Sequence, residues 1–110
     1  MEKLTLYQKL VIQILEKYAQ VKPLGDIEVK TFFDRDSHHY QVFHWGWVNS
    51  RRVFGPLIHI DFINNKIWIQ HDGTEIGVAN QLMELGVPKE DIVLGFHHPS
   101  MREYDGFAIA

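Results

Sequence analysis

The spacing of the apolar residues changes near Gly25, and this change does most to limit the possible folds. Before Gly25, apolar side chains recur three and four residues apart, which is the spacing of one buried helical face. They are Leu4, Tyr7, Leu10, Val11, Ile14, Leu15 and Tyr18. After Gly25, apolar and polar residues alternate, which is typical of strands. We therefore predict an amphipathic N-terminal helix over residues 4–20, followed by β-structure.

Four segments rich in β-branched and aromatic residues follow Gly25. They are IEVKTFF, HYQVFHWGWV, VFGPLIHIDFI and KIWIQH, separated by DRDSH, NSRR and NN. This arrangement predicts a four-stranded antiparallel meander. A second helix, a short fifth strand and an irregular tail are expected after it. The fold class is α+β, in a single domain over residues 1–110, because a chain of this length has room for one core.

A trial register assigns the strand side chains to two faces of the sheet. We place the third hairpin on a two-residue turn at Asn64 and Asn65, since asparagine tolerates positive φ. The resulting core-face pairs are Phe62 with Ile67, Ile60 with Ile69, and Ile58 with His71. Extending the alternation backwards adds four aromatic residues to the core face. These are Phe43, Trp45, Trp47 and Phe54.

The first strand joins this core face only if the loop after it has an odd length. With three or five loop residues, Ile27, Val29 and Phe33 point inward, whereas an even number would bury Glu28 and Lys30 instead. We therefore predict three or five residues in this loop.

The opposite face of the sheet then carries both polar and apolar side chains. The polar ones are His59, Asp61 and Gln70, and the apolar ones are Tyr40, Val42, Val48 and Trp68. An apolar patch of this size usually meets another surface, so a homo-oligomer is expected. The candidate contact residues for a partner or nucleic acid are Tyr40, Val42 and Trp68, with Arg51 and Arg52 at a hairpin tip.

A polar stretch, HDGTE, joins the fourth strand to the second helix. Its residues, His71, Asp72, Gly73, Thr74 and Glu75, are expected to form a structural corner. The strand ends at Asp72 and Gly73, and Thr74 or Asp72 can cap the helix by accepting from free backbone N–H groups. Glu75 would lie in the first turn, at the positive end of the helix dipole. The predicted inner face of this helix is Ile76, Ala79, Leu82 and Met83, with Gly86 and Pro88 ending it.

The composition limits the possible functions. The chain has no cysteine, which excludes disulfides, thiol nucleophiles and thiolate metal sites. Its formal net charge of −3 disfavours strong binding to DNA by phosphate neutralisation. No apolar run is long enough for a membrane span and no secretory signal is evident, so the expected location is cytoplasmic.

The seven histidines raise a metal-dependent alternative. A small hydrolase or nuclease would use His59, Asp61, His71 and Asp72, with Glu75 as a further candidate. These residues lack the spacing of a known metal or catalytic motif, and the trial register places His59 and His71 on opposite faces. We therefore predict no metal, no cofactor and no catalytic residue. Direct DNA binding through Arg51 and Arg52 is a further alternative.

A family resemblance rests on six stretches of the chain. They are DIEV, HYQVFHWGW, RRVFG, HIDF, KIWIQHDGTEIGVANQL and ELGVPKEDIVLGFHHP. These closely resemble the XisI family, known as fdxN element excision controlling factors and typical of cyanobacteria. The resemblance implies a non-enzymatic accessory protein that acts with a XisH-like partner when a site-specific recombinase excises a DNA element during heterocyst development. The recombinase is a further candidate partner, and the acidic net charge favours indirect contact with DNA.

Overall fold

The computed structural model describes residues 2–110, with the side chains of residues 3–110. The elements in chain order are α1 (Glu2–Ala19), β1 (Asp26–Asp34), β2 (His39–Val48), β3 (Arg51–Ile63), β4 (Lys66–Asp72), α2 (Val78–Glu84), a 3-10 turn (Lys89–Asp91), β5 (Ile92–Leu94) and α3 (Pro99–Arg102). Within this part of the chain, no helix combines the length and apolar character that crossing a membrane requires.

The described strands form a five-stranded sheet in the order β1-β2-β3-β4-β5. The first four strands pair antiparallel with their neighbours, whereas β5 runs parallel to β4. A parallel pair needs a crossover connection, and the segment containing α2 supplies it. This architecture confirms the predicted α+β class, with an N-terminal helix, an antiparallel meander, a second helix and a short C-terminal strand.

The main core lies between one face of the sheet and the helices α1 and α2. We call this the core face. Residues from α1, spaced three and four apart as predicted, close over the sheet. The buried members are Tyr7, Val11, Ile14 and Leu15 from α1, Tyr40, Val42, Ile58, Ile60, Phe62, Ile67, Ile69, Ile92 and Leu94 from the sheet, Val78 and Leu82 from α2, and Val87 after α2.

The predicted faces of β2 are wrong. Tyr40 and Val42, which were expected on the outside, are fully buried in the core. The alternation of β2 therefore places its large aromatic residues on the opposite side, which we call the outer face. The residues expected inside but found on the outer face are Phe43, Trp45 and Trp47 in β2 and Phe54 in β3.

A β-bulge in β3 causes this inversion. Val42 pairs with Ile58, but the next residue, Phe43, pairs with Pro56, which leaves Leu57 as an extra residue. Because side chains alternate with a period of two, one extra residue exchanges the two faces beyond it. The carbonyl oxygen of Leu57 accepts a hydrogen bond of 2.8 Å from the backbone N–H of Gly73, so the bulge is held by the start of the next connection.

The β1–β2 loop has four residues, 35–38, since Asp34 pairs with His39. The prediction of an odd loop is therefore wrong. Ile27, Val29 and Phe33 nevertheless lie on the core side, with Ile27 buried. The predicted loop length and the predicted face of β2 are both wrong, and because each error exchanges the two faces of β1, the two errors cancel.

The β3–β4 hairpin confirms the predicted turn but not the whole register. Asn64 and Asn65 have φ of 53° and 62° and join Ile63 to Lys66. The predicted pairs Phe62–Ile67 and Ile60–Ile69 are present. The pair of Ile58 with His71 is wrong, because a second bulge at Gln70 shifts the register. Ile58 pairs with Asp72, and His71 pairs with His59 on the outer face.

The second helix begins later than predicted, at Val78, with Gly77 as its N-cap residue. Glu75 therefore lies before the helix and not in its first turn. Ile76, expected on the buried face, is exposed, and Val78 and Gln81 are buried instead. Gly86 has φ of 98°, the left-handed conformation predicted for the residue that follows the helix.

Candidate functional site: an exposed aromatic face and a histidine cluster

The outer face of the sheet carries a group of large aromatic side chains, which we call the aromatic face. It consists of Phe32 from β1, Phe43, Trp45 and Trp47 from β2, and Phe54 from β3. The exposed fractions are 68% for Phe54, 49% for Phe32 and 48% for Trp47. Burying aromatic rings removes a large apolar area from water, so leaving them exposed costs stability that a covering surface would recover.

The rings of this face hold each other in defined orientations. Phe43 is central, with its ring centroid 6.2 Å from that of Phe32 and 5.0 Å from that of Phe54, both in edge-to-face arrangement. Its centroid is 6.1 Å from that of Trp45. Together with Gln41 and Arg52, these residues line a concavity of about 560 Å³. The face is therefore an ordered surface with a shallow central recess.

Arg52 belongs to this surface, whereas its neighbour Arg51 does not. The guanidinium carbon of Arg52 lies 5.2 Å from the ring centroid of Trp47 and 5.5 Å from that of Phe54. These distances are typical of cation–π contacts. Arg52 also donates a hydrogen bond of 3.4 Å to the carbonyl oxygen of Gly46. Arg51 is exposed at the hairpin tip, opposite Val48.

The other predicted contact residues have different positions. Tyr40 and Val42 are fully buried, so the prediction that they lie on an exposed patch is wrong. Trp68 does lie on the outer face, as predicted, but it is half-buried. The guanidinium carbon of Arg102, from α3, is 5.1 Å from the ring centroid of Trp68 and partly covers it.

A second feature of the outer face is a group of three ionisable side chains, His39, His59 and Asp61, which we call the histidine cluster. His39 Nδ1 is 2.5 Å from Asp61 Oδ1, and His59 Nε2 is 3.0 Å from the same oxygen. The second carboxylate oxygen accepts a hydrogen bond of 3.2 Å from Gln70 Nε2. Asp61 is buried, and His39 is half-exposed. Imidazole nitrogen and carboxylate oxygen atoms are ligands of transition metals as well as hydrogen-bonding groups.

The four residues of the predicted metal-dependent alternative do not form one group. His59 and Asp61 are together, but among the side chains that the structure describes it is His39, not His71 or Asp72, that completes a set of three. His39 was missed because of the Leu57 bulge: the predicted register placed Phe43 on the core face, and alternation from Phe43 would put His39 on that face too, away from His59. The expectation that His59 and His71 lie on opposite faces is also wrong, since they are cross-strand partners.

The Asp72 carboxylate accepts hydrogen bonds from Thr74 and Val78 at the corner before α2. Its Oδ1 accepts from the backbone N–H and the hydroxyl of Thr74, at 2.9 and 2.6 Å. Its Oδ2 accepts from the backbone N–H of Val78 at 2.7 Å, which satisfies a free donor at the start of the helix. Thr74 Oγ1 accepts in turn from the N–H of Gly77 at 3.2 Å. His71, Gly73 and Glu75 are exposed.

Three ionisable groups on the core side, Tyr7, Asp91 and His44, have shifted pKa values. Burial and the hydrogen bond that Tyr7 donates to Asp91 raise the pKa of the Tyr7 hydroxyl above its ordinary value. Burial alone would raise the pKa of Asp91 too, but its bonds with Lys3 and Tyr7 and the charge of Lys3 outweigh burial and lower it. Burial lowers the pKa of His44 below 6.5. The bonds among Tyr7, Asp91 and Lys3 therefore stabilise the core side of the fold.

Four residues of the aromatic face were visible in the sequence but were predicted on the wrong side; they are Phe43, Trp45, Trp47 and Phe54. The missed signal is the Gly55-Pro56 dipeptide within a strand that has neighbours on both sides. Proline cannot donate to a sheet ladder, so inside a sheet it is confined mainly to edge strands and bulges. In a central strand, Pro56 indicates an irregularity at that point, which is where Leu57 interrupts the pairing.

Comparisons with known proteins are consistent with one another. The family model described as XisI protein matches residues 1–109. A solved XisI-like protein from Anabaena variabilis ATCC 29413 is 38% identical, with a TM-score of 0.88, over 97% of this chain and 99% of the other.

A second solved structure is the fdxN element excision controlling factor XisI from the same strain. It is 33% identical, with a TM-score of 0.84, over 98% of this chain and 99% of the other. No curated protein matches the chain.

Proposed function

Because the chain belongs to the XisI family, we propose that it is a non-enzymatic accessory factor that controls the excision of a DNA element. It acts through protein contact with a XisH-like partner, and the aromatic face is the surface that this partner covers. Contact with DNA is indirect, through the partner or the site-specific recombinase. One of the two similar solved structures is named for this kind of control.

The observation that carries this proposal is the exposure of the aromatic face. Three of its rings are about half-exposed or more, and Arg52 lies over two of the rings. Tryptophan, tyrosine and arginine are the residue types most often responsible for binding energy at protein interfaces. The aromatic rings provide a large contact area with few rotatable bonds, so little side-chain entropy is lost when they are covered. The recess around Phe43 would receive a protruding side chain of the partner.

The geometry of the rings supports a protein partner over direct binding of single-stranded nucleic acid. Bases stack on the flat faces of exposed aromatic rings. Here Phe43 meets Phe32 and Phe54 edge to face, and Arg52 lies over the rings of Trp47 and Phe54. Stacked bases would have to displace that guanidinium. The net charge of −3 also opposes the binding of a polyanion.

Substitution of Phe54 provides the direct test. The ring is 68% exposed, so Phe54→Ala is expected to leave the fold intact. Its affinity for the XisH-like protein, measured by isothermal titration calorimetry, is expected to fall at least about tenfold, which corresponds to about 1.4 kcal/mol. The matched control is Tyr104→Ala, because Tyr104 is an aromatic residue of similar exposure, 74%, outside the aromatic face.

Two results would contradict the proposal. Equal affinity of wild type, Phe54→Ala and Tyr104→Ala for the XisH-like protein would exclude the aromatic face as its binding surface. If the chain alone is a homodimer that Phe54→Ala dissociates, and the XisH-like protein binds that dimer without separating it, the surface belongs to a second copy of the chain. The mass of the wild type and the variant, alone and in mixture, distinguishes these cases.

A further inference from the structure

The outer face holds a feature that protein contact does not explain, since His39, His59 and Asp61 bring three potential ligand atoms close together. We propose that the histidine cluster binds one divalent transition-metal ion of the zinc class, through His39 Nδ1, His59 Nε2 and Asp61 Oδ1. All three atoms lie within 4.8 Å of one another. This inference is independent of the proposed function, because it rests on a different set of side chains.

The donor set fits zinc in both kind and number. Zinc binds imidazole nitrogen and carboxylate oxygen at about 2.0–2.2 Å, and three protein ligands with one open position form a common zinc arrangement. Ligands around a tetrahedral zinc ion are therefore about 3.3 Å apart. The carboxylate oxygen is now 2.5 and 3.0 Å from the two ring nitrogens. Binding therefore requires the carboxylate oxygen and each ring nitrogen to separate by less than about 1 Å, and the His39 ring, which is half-exposed, has solvent on one side.

The ligands stand on adjacent strands, which limits their motion. His59 and Asp61 are two residues apart on β3 and therefore share a face. His39 is the direct cross-strand partner of Asp61 on β2. Both strands have neighbours on each side in the sheet. A site on such strands loses less entropy on binding than one built on loops.

Gln70 and the burial of Asp61 complete the arrangement. Gln70 Nε2 donates to Asp61 Oδ2 at 3.2 Å and so leaves Oδ1 turned toward the imidazoles. Hydrogen bonds of this kind orient metal-binding carboxylates and contribute to affinity. The Asp61 side chain is only 12% exposed. The attraction between a partly buried carboxylate and a dication is stronger than it would be in open water.

The position of the cluster leaves room for a further ligand. His59 pairs with Gln41, and Gln41 lines the recess of the aromatic face. An ion held by the cluster would therefore lie beside that face, with its open position on the same side of the sheet. Without a metal ion, the same geometry is a network in which both imidazoles donate to one carboxylate oxygen. Titration with a metal distinguishes these two roles.

The experiment uses the full chain produced without a histidine tag, stripped with a chelator and titrated with Zn²⁺ by calorimetry. One ion per chain is expected to bind at micromolar protein concentration. Asp61→Asn, which keeps the shape of the side chain, and His39→Ala, which removes a half-exposed ring, are each expected to weaken binding about 100-fold or more. Gln70→Ala is expected to weaken it about tenfold. Because ligand protons are released, binding should also weaken as the pH is lowered.

The matched control is His71→Ala, because His71 is the cross-strand partner of His59 on the same face but outside the cluster. It should leave the affinity unchanged. X-ray absorption at the zinc edge is expected to show two imidazole ligands. The absence of a stoichiometric site, binding that survives both Asp61→Asn and His39→Ala, or a coordination shell of oxygen atoms alone would overturn the proposal. Thermal unfolding of each variant establishes that it is folded before it is titrated.

Discussion

Both faces of the sheet are rich in large apolar side chains, but along β2 and β3 the helices α1 and α2 cover only one of them. On the core face, Tyr40, Val42, Ile58 and Ile60 are fully buried beneath α1 and α2. On the outer face of the same strands, Trp47 and Phe54 remain exposed, to 48% and 68%. The comparison shows that hydrophobicity alone does not identify the inside of this molecule. What distinguishes the two faces along these strands is that α1 and α2 pack on only one of them.

A single strand contains both environments. In β3, Phe54 faces outward and Ile60 faces inward, although they are six residues apart and a regular strand would place them on the same side. The residue responsible is Leu57, which has no partner position on β2. The bulge therefore both closes the core and exposes the aromatic face.

Deletion of Leu57 is expected to have the largest effect. Without the extra residue, β3 cannot present Ile58 and Ile60 to the core while Phe54 pairs with Trp45. One half of β3 must then turn its side chains to the opposite face, so that either Phe54 points into the core or Ile58 and Ile60 point out of it. We expect a loss of more than about 5 kcal/mol, enough to abolish folding for a domain of ordinary stability. Urea unfolding followed by circular dichroism measures it.

Leu57→Ala is the matched control for this deletion, because it keeps the extra residue and shortens only its side chain. It should unfold cooperatively with a moderate loss of stability, since Leu57 packs at the margin of the core. A deletion variant as stable as Leu57→Ala would show that the bulge does not determine which face is covered.

The next prediction compares two truncations in β3. Ile60→Ala removes a fully buried side chain and is expected to reduce the free energy of unfolding by about 2–5 kcal/mol. Phe54→Ala removes a larger side chain but is expected to cost less than about 1 kcal/mol, since the ring is mostly exposed. Chemical denaturation of both variants checks the difference. Similar losses would indicate that the outer face is a second core in the isolated protein.

The smallest expected effect is on the pH dependence of stability, through His44 on the core side of β2. Burial lowers the pKa of His44, whose Nε2 is buried without a hydrogen-bond partner among the described residues. The folded protein thus disfavours the protonated ring, whereas the unfolded chain binds the proton near pH 6.5. Stability contributed by neutral His44 is present above that pH and is lost as the pH falls below it. His44→Phe should show a smaller loss of melting temperature between neutral and mildly acidic pH.

His71→Phe is the control for the pH experiment, because His71 is exposed on the outer face. It should retain the pH dependence of the wild type. An unchanged dependence in His44→Phe would mean that His44 is not desolvated in the folded protein, and that the core face is more accessible to water on this side.

Features that depend on local patterns could be predicted from the sequence. The spacing of Leu15 and its neighbours predicted α1, and Asn64-Asn65 predicted a hairpin turn. The faces of the sheet could not be predicted from alternation, because each bulge adds one residue and exchanges the two faces for the rest of the strand. His39 could be joined to His59 and Asp61 only after β2 was placed correctly on β3. The histidine cluster was therefore missed for the same reason as the aromatic face.

The most direct measurement of what covers the aromatic face is hydroxyl-radical footprinting of the chain alone and in its stoichiometric complex with the XisH-like protein. Oxidation of Trp47 and Phe54 is expected to fall severalfold in the complex, whereas oxidation of Tyr104, which is also exposed but lies outside the aromatic face, stays unchanged. Unaltered oxidation of Trp47 and Phe54 in a formed complex would contradict the role assigned to this face.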